Sequence, residues 1–284
     1  MHKNILVPTD FSDDAFYAAK FACNLAIEKN LGIHLYHFYT SASAGFNEET
    51  ESDEDEKGQL LQADLTMVEI KKQLNNLFPS VEINSTCSRG LLQEKLPKIA
   101  DQDGYELIVM GTTGDSEKKS IVYGSNTSAI SSKSPIPVIA IPNGHEEFNF
   151  RKIGLLTNFK TDEIETLIEY IHLIGDIEEL YLIHVYKEDD VASEVNERLE
   201  SWSYNIREID GVKHVITLSD HISKDDVEMD SISEVVNLMI SKNNLDLILV
   251  NKTRKSFFDR IFKPSISKEI ALDIKVPTFF DKIN

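Results

Sequence analysis

Leu107-Ile108-Val109-Met110 runs straight into Gly111-Thr112-Thr113-Gly114, and after nine further residues the chain reads Gly124-Ser125. Four consecutive large apolar side chains leave no polar face, so the segment reads as a strand buried on both sides, as in a parallel sheet covered by helices. The sequence on either side repeats the theme. Ile5-Leu6-Val7 stops at Pro8-Thr9-Asp10, and residues 33–38, 81–87 and 136–141 are further strand-like runs. The last is framed by Pro135, Pro137 and Pro142, which places it near an edge. Helical patterns lie between them. After Ser12, an N-cap, the residues Ala15, Ala18, Ala19, Ala22, Leu25 and Ala26 form a small-residue stripe suited to close packing on a sheet. Residues 60–77 and 90–100 continue the alternation; Pro97 fits the shorter helix only if it lies in the first turn. Strands alternating with helices define an α/β domain with a parallel sheet.

The chain has 284 residues, of which 41% are hydrophobic and 27% charged, enough for two ordinary domains with real cores. With 29 Lys and Arg against 48 Asp and Glu, the formal net charge is -19. Such a surface repels phosphate backbones, and no local basic patch offsets it, which argues against nucleic-acid binding. No apolar run is long enough to span a bilayer and no secretory signal opens the sequence, so no membrane partner and a cytoplasmic location are expected. Cys23 and Cys87 make neither a disulfide framework nor a CxxC metal motif. Seven carboxylates crowd between Glu48 and Glu56, and self-repulsion predicts an exposed, mobile loop over 47–58, an insertion without EF-hand spacing.

After the polar turn Pro142-Asn143-Gly144-His145-Glu146-Glu147 the order starts again. Ile153 to Phe159 parallels Ile5 to Phe11 at an offset of 148, Leu182-Ile183-His184 parallels Leu35-Tyr36-His37 at 147, and Leu247 to Val250 parallels Leu107 to Met110 at 140. Several blocks in one order argue for a duplicated domain, with boundaries at 1–147 and 148–284. Ile164, Leu167, Ile168, Ile171 and Ile174 form a helical stripe in the second copy, and Ser231-Ile232-Ser233-Glu234 is a capping box that opens another. His37 and His184 occupy equivalent strand ends, which favours a repeated structural role over catalysis.

No Walker A sequence, GxGxxG or HExxH occurs, and no Ser-His-Asp set can be assembled. The glycine loop after the fourth strand is the chemical signal, because ligands of open parallel sheets bind beyond the carboxyl ends of the strands. Gly111 and Gly114 can adopt positive φ and let backbone N–H groups approach an anion, while Gly124 and Ser125, opening the next helix, add orphan donors and the positive end of its dipole. A pair of glycines also makes turns without any ligand, and the residues alone leave both readings open.

The G-x2-G-x9-G-S spacing after a penultimate parallel strand resembles the ATP-binding signature of the universal stress protein family. The opening Ile5-Leu6-Val7-Pro8-Thr9-Asp10-Phe11-Ser12, the His37-Phe38 strand end and the Gly90 loop resemble that family too, over nearly all of the first half and more weakly in the second. The resemblance implies tandem five-stranded parallel α/β domains of the Rossmann-like, adenine nucleotide α-hydrolase-like kind. It further implies an intrachain pseudo-dimer in which residues 138–141 and 276–280 pair. It implies ATP or a related adenine nucleotide in the first domain, with Mg2+ shared by the phosphates and no metal held by protein side chains. Carried over by position, Asp10 meets the adenosine portion, Pro8 and Thr9 shape that wall, and Phe38 lies by the adenine. Gly111, Thr113, Gly114, Gly124, Ser125 and Asn126 hold ribose and phosphates.

The second half departs from the signature: Asn251, Arg254 and Pro264 stand where Gly111, Gly114 and Gly124 do, Asn158 replaces Asp10, and only Ser265 matches Ser125. It is therefore expected not to bind ATP in the same way. No positioned base and no arginine finger are evident, so no catalytic residue is assigned; the expectation is a regulatory stress-response module with at most slow ATP hydrolysis. Two other classes compete. One is a nucleotide-independent scaffold whose unidentified protein partner, or second copy, reads the acidic surface; the other is a nucleotidyl-transfer enzyme on a similar fold.

Overall fold

The computed structural model describes residues 3–39, 53–112, 125–223, 229, 231–251 and 274–282, with backbone alone at 53–57, 59 and 125. These residues fall into two compact units, one up to Glu146 and one from Glu147 to Lys282.

In the first unit the order is β1 (Asn4–Pro8), α1 (Asp13–Lys29), β2 (Gly32–Tyr39), α2 (Asp53–Leu77), β3 (Ile83–Arg89), α3 (Leu92–Ala100), β4 (Tyr105–Gly111), α4 (Ser125–Lys133) and β5 (Val138–Ile141). Its strands lie in the order β3-β2-β1-β4-β5, and every pair is parallel. The order reverses direction at β1 and β4, the two strands whose carboxyl ends carry Pro8 and Gly111. Ile5, Leu6, Val7, Ile33, Leu35 and Ile108 are fully enclosed. Burying each such side chain is worth roughly 1.5–3 kcal/mol, which is why the aliphatic runs become central strands.

The alanine stripe of α1 is buried as its spacing requires, so the helix lies close on the sheet. Ser12 caps it by accepting the N–H of Ala15 at 3.3 Å, and Asn30 ends it in the left-handed region at φ 53°.

Two local expectations fail. The acidic run does not stay a loop throughout: α2 begins at Asp53, so 53–58 is helical, while 47–52 lies outside the described residues. Carboxylates at a helix N-terminus are favoured by the macrodipole, and that gain opposes their mutual repulsion. Pro97 is the sixth residue of α3, beyond its first turn. Its missing N–H leaves the Gln93 carbonyl without an intrahelical donor, a cost a nine-residue helix bears once.

The second unit holds β6 (Lys152–Leu156), α5 (Asp162–Ile174), β7 (Ile177–Lys187), α6 (Ala192–Arg207), β8 (Val212–Ile222), α7 (Ile232–Asn243), β9 (Leu247–Val250) and β10 (Thr278–Phe280). Its strand order is β10-β9-β6-β7-β8, again all parallel. The duplication holds at single bonds: Ile108 N–H donates to Pro137 O at 2.9 Å and Ile248 N–H to Pro277 O at 3.0 Å, both residues displaced by 140. The Ser231 hydroxyl caps α7, accepting Glu234 N–H at 3.3 Å and donating to the Glu234 carboxylate at 2.9 Å. Among the described residues no helix is long and apolar enough to cross a membrane.

Candidate functional site

The turn from β1 into α1 is built around Thr9. Its N–H extends the ladder to Tyr36 O at 2.9 Å, its hydroxyl oxygen accepts the N–H of Phe11 at 3.0 Å, and its carbonyl accepts from His37 Nδ1 at 2.8 Å. A carbonyl only accepts, so the His37 proton sits on Nδ1. Phe11 adopts φ 69°, rare for a residue with a Cβ, and its ring stacks on His37 with centroids 4.1 Å apart. Thr9 is 6% exposed, Pro8 is buried, and Asp10 projects at the surface with Oδ1 accepting from Ser12 N at 3.1 Å and Ser12 Oγ at 2.5 Å. Phe38 follows His37 on β2 and faces the other side of the sheet, where it stacks on Tyr36 at 4.8 Å.

Gly111 closes β4 against the first turn of α1. A Cβ there would lie 3.2 Å from the Asp14 carbonyl carbon and oxygen, tighter than an ordinary contact, so α1 would have to give by a few tenths of an ångström to admit one. Its φ is not positive, so the freedom that glycine gives there is not used. The Gly111 carbonyl accepts the Thr127 hydroxyl at 2.9 Å, which fastens the start of α4 to the end of β4. Ser125 is the first residue of that helix, and Asn126 Oδ1 accepts from Gln93 Nε2 of α3 at 3.0 Å. The ends of β1 and β4 and the start of α4 therefore meet on one edge, bringing Pro8, Thr9, Asp10, Gly111, Ser125 and Asn126 together, with Phe38 two residues beyond the β2 partner of Pro8. Thr113, Gly114 and Gly124 lie outside the described residues.

Asp14 was not singled out by the sequence, since an acid in the first turn of a helix is ordinarily solvated. It is 7% exposed, and burial, then Asp10, then Asp13, push its pKa up to about 6.

The second unit keeps the turn and alters what surrounds it. Thr157 N–H donates to Ile183 O at 2.9 Å, Phe159 N–H to Thr157 Oγ1 at 3.0 Å and His184 Nδ1 to Thr157 O at 2.7 Å, while Phe159 has φ 63°. The two histidines thus do the same work, holding a threonine carbonyl. Glu163 stands where the first unit has Ala15. It is 4% exposed, accepting the Thr157 hydroxyl at 2.5 Å and Asn158 N–H at 2.7 Å; burial raises its pKa against those bonds. Asn251, in the place of Gly111, donates to Asp162 O at 2.8 Å and Thr166 Oγ1 at 2.7 Å, and Thr166 donates to the buried Asp281 at 3.0 Å. The Arg198 guanidinium covers the Phe159 ring at 4.3 Å. An open depression of about 690 Å³ in this unit, lined by Glu179, Arg207, Lys213 and His214, sits toward the opposite ends of the strands.

Parallel strands covered by helices, with the strand order of the first unit changing direction between β1 and β4 beside Gly111, define the doubly wound α/β class. The comparisons narrow it: the sequence model of the Universal stress protein family matches residues 1–142, and the chain belongs to that family. It is 31% identical over 156 residues to Universal stress protein MJ0577 of Methanocaldococcus jannaschii, covering 50% of this chain and 95% of that one. Universal stress protein MJ0531 of the same organism is 26% identical over 148 residues, 52% of this chain and 86% of its own. The crystal structure of a universal stress protein from Archaeoglobus fulgidus superposes over 98% of this chain and 96% of its own with a TM-score of 0.68 at 17% identity, a likeness of fold.

Proposed function

We propose that the first unit is an adenine nucleotide-binding regulatory domain of the stress-response type, with ATP as its ligand and Mg2+ accompanying the phosphates. The observation that carries this reading is the convergence of the Asp10 turn, the Gly111 strand end and the start of α4 on one edge of the sheet. On this reading Asp10 bonds the adenosine portion beside Pro8 and Thr9, and Phe38 lies near the base. Gly111, Thr113, Gly114, Gly124, Ser125 and Asn126 surround ribose and phosphates, with slow hydrolysis as the upper limit of activity. Residues 1–147 and 148–284 are then tandem domains, the second a degenerate copy that leaves ATP unbound because Asn251 and Glu163 occupy it from within. The free thiols Cys23 and Cys87 suit the reducing cytoplasm as its location.

The test is a thermal melt of the full chain with ATP. Ligand at a hundredfold excess over Kd adds about 2.7 kcal/mol and raises Tm by roughly 5–10 °C. Gly124→Val abolishes that shift, Pro264→Val leaves it intact, and titration gives one nucleotide per chain. Absence of a shift with any adenine nucleotide would refute the reading and favour a nucleotide-independent scaffold.

A further inference from the structure

Helix α2 carries two apolar faces, and the first unit buries only one of them. Ala63, Met67 and Leu74 are enclosed where the helix packs on β2 and β3, with Leu60 and Ile70 half-buried beside them. Leu61, Leu65 and Val68 form a second stripe and stay 61%, 64% and 64% exposed. At 3.6 residues per turn the two stripes lie about 150° apart, so the second faces away from its own sheet. Its spacing of four and then three residues is that of a seam between two helices, where apolar side chains recur every 3.5 residues. The same line continues to Gly58, three residues before Leu61, and to Lys72, four residues after Val68. A Cβ at Gly58 would meet nothing within 4 Å, so the seam is open at that end. Scattered exposed leucines are ordinary on a protein surface, whereas three in line on one helix form a patch. Charge along α2 is equally uneven. Residues 53–64 hold five carboxylates and one lysine, while residues 65–77 hold Glu69 against Lys71 and Lys72.

We propose that the Leu61-Leu65-Val68 stripe is a contact between two copies of this chain, whose α2 helices pack antiparallel about a twofold axis at Leu65. A twofold contact needs a surface complementary to itself, and this operation supplies one. Leu61 of one copy meets Val68 of the other, and Lys72 comes opposite Gly58, where no side chain blocks its methylene stem. The acidic first half of each helix lies along the net basic second half of the other, and the two macrodipoles oppose. Parallel packing would instead set five carboxylates against five and Lys72 against Lys72. Charge therefore selects the direction as well as the occupant. Three apolar side chains per copy fall short of the roughly 1,200 Å² that specific stable interfaces bury, so the association is weak and concentration-dependent.

Sedimentation equilibrium of the full chain, without nucleotide, tests this over about 5 to about 500 μM, the range in which a weak interface is read. Wild type reversibly forms dimers. Leu65→Glu weakens the association by about tenfold or more, because it sets two carboxylates against each other at the axis. Ile168→Glu, at a similarly exposed position on α5 of the second unit, leaves it unchanged, and at low concentration both variants melt with wild type. Direction is read by disulfide trapping with copper phenanthroline. Chains carrying Leu61→Cys and mass-tagged chains carrying Val68→Cys link to each other, and neither links to itself. Wild type that stays monomeric throughout overturns the proposal. So does a Leu65→Glu chain that associates as tightly as wild type, which would place the contact on another face, and so does self-linking of Leu61→Cys, which would make the helices parallel. Each of these outcomes leaves the nucleotide reading untouched, since no ligand takes part.

Discussion

Glu163 replaces an alanine of the first unit with a sealed carboxylate that works as an acceptor twice over. Glu163→Gln keeps the volume but presents an amide N–H to one of its two donors, and leaving a buried donor unsatisfied costs about 1–3 kcal/mol. Trp202 is the single tryptophan and lies on α6, so its fluorescence in a urea titration reads that loss directly. Glu169 behaves differently. Burial and a carboxyl–carboxyl contact with Asp281 raise its pKa to about 7, although Lys282, 2.9 Å away, pulls the other way. An acid whose folded pKa exceeds its unfolded value stabilises the fold fully below the unfolded pKa, and that contribution is lost as pH rises through the folded value. Stability is therefore expected to decline between pH 4.5 and about 7, and Glu169→Gln flattens that slope. Denaturant midpoints measured across that range decide it.

Helix α3 carries its proline in an interior position, and Pro97→Ala restores a donor for the Gln93 carbonyl. A gain of about 1–3 kcal/mol in urea unfolding is expected, with an unchanged or lower stability counting against the interior placement. Helix α7 gives the converse case: Ser231→Ala removes the cap on the Glu234 N–H and costs about 1 kcal/mol, read again from Trp202. These elements show which features sequence can carry. Ile5-Leu6-Val7 and Leu107 to Met110 announce central strands, because a strand buried on both faces has no polar residue to confuse its pattern. Ser12 and Ser231 announce helix starts by local chemistry alone. The start of α2 at Asp53 is hidden because repulsion and macrodipole act on the same carboxylates with opposite sign. At the candidate site, Asp10 and Gly111 are legible from position. The bond from His37 to Thr9 spans 28 residues, and the burial of Asp14 and Glu163 depends on what packs above them, which no spacing encodes.

At the scale of the whole molecule the net charge of -19 opposes compactness through self-repulsion. Raising NaCl from about 0.01 M to about 1 M shortens the screening length from about 30 Å to about 3 Å, so Tm is expected to climb over that interval. A Tm independent of salt would mean that the acidic side chains are spaced widely enough not to interact. The duplication gives the second expectation: both copies keep the threonine turn, with Phe11 at φ 69° and Phe159 at φ 63°. The backbone of that turn thus belongs to the fold itself, whatever side chains surround it in either copy.

The amide of Asn251 points to why the two copies have stayed unlike. Returning that position to glycine would deprive the Thr166 hydroxyl of its donor and leave the Glu163 carboxylate still seated in the turn. Such a chain would lose those bonds while Glu163 still fills the turn. Asn251 and Glu163 hold separate partners, so exchanging either one alone leaves polar groups of this turn without their bonds.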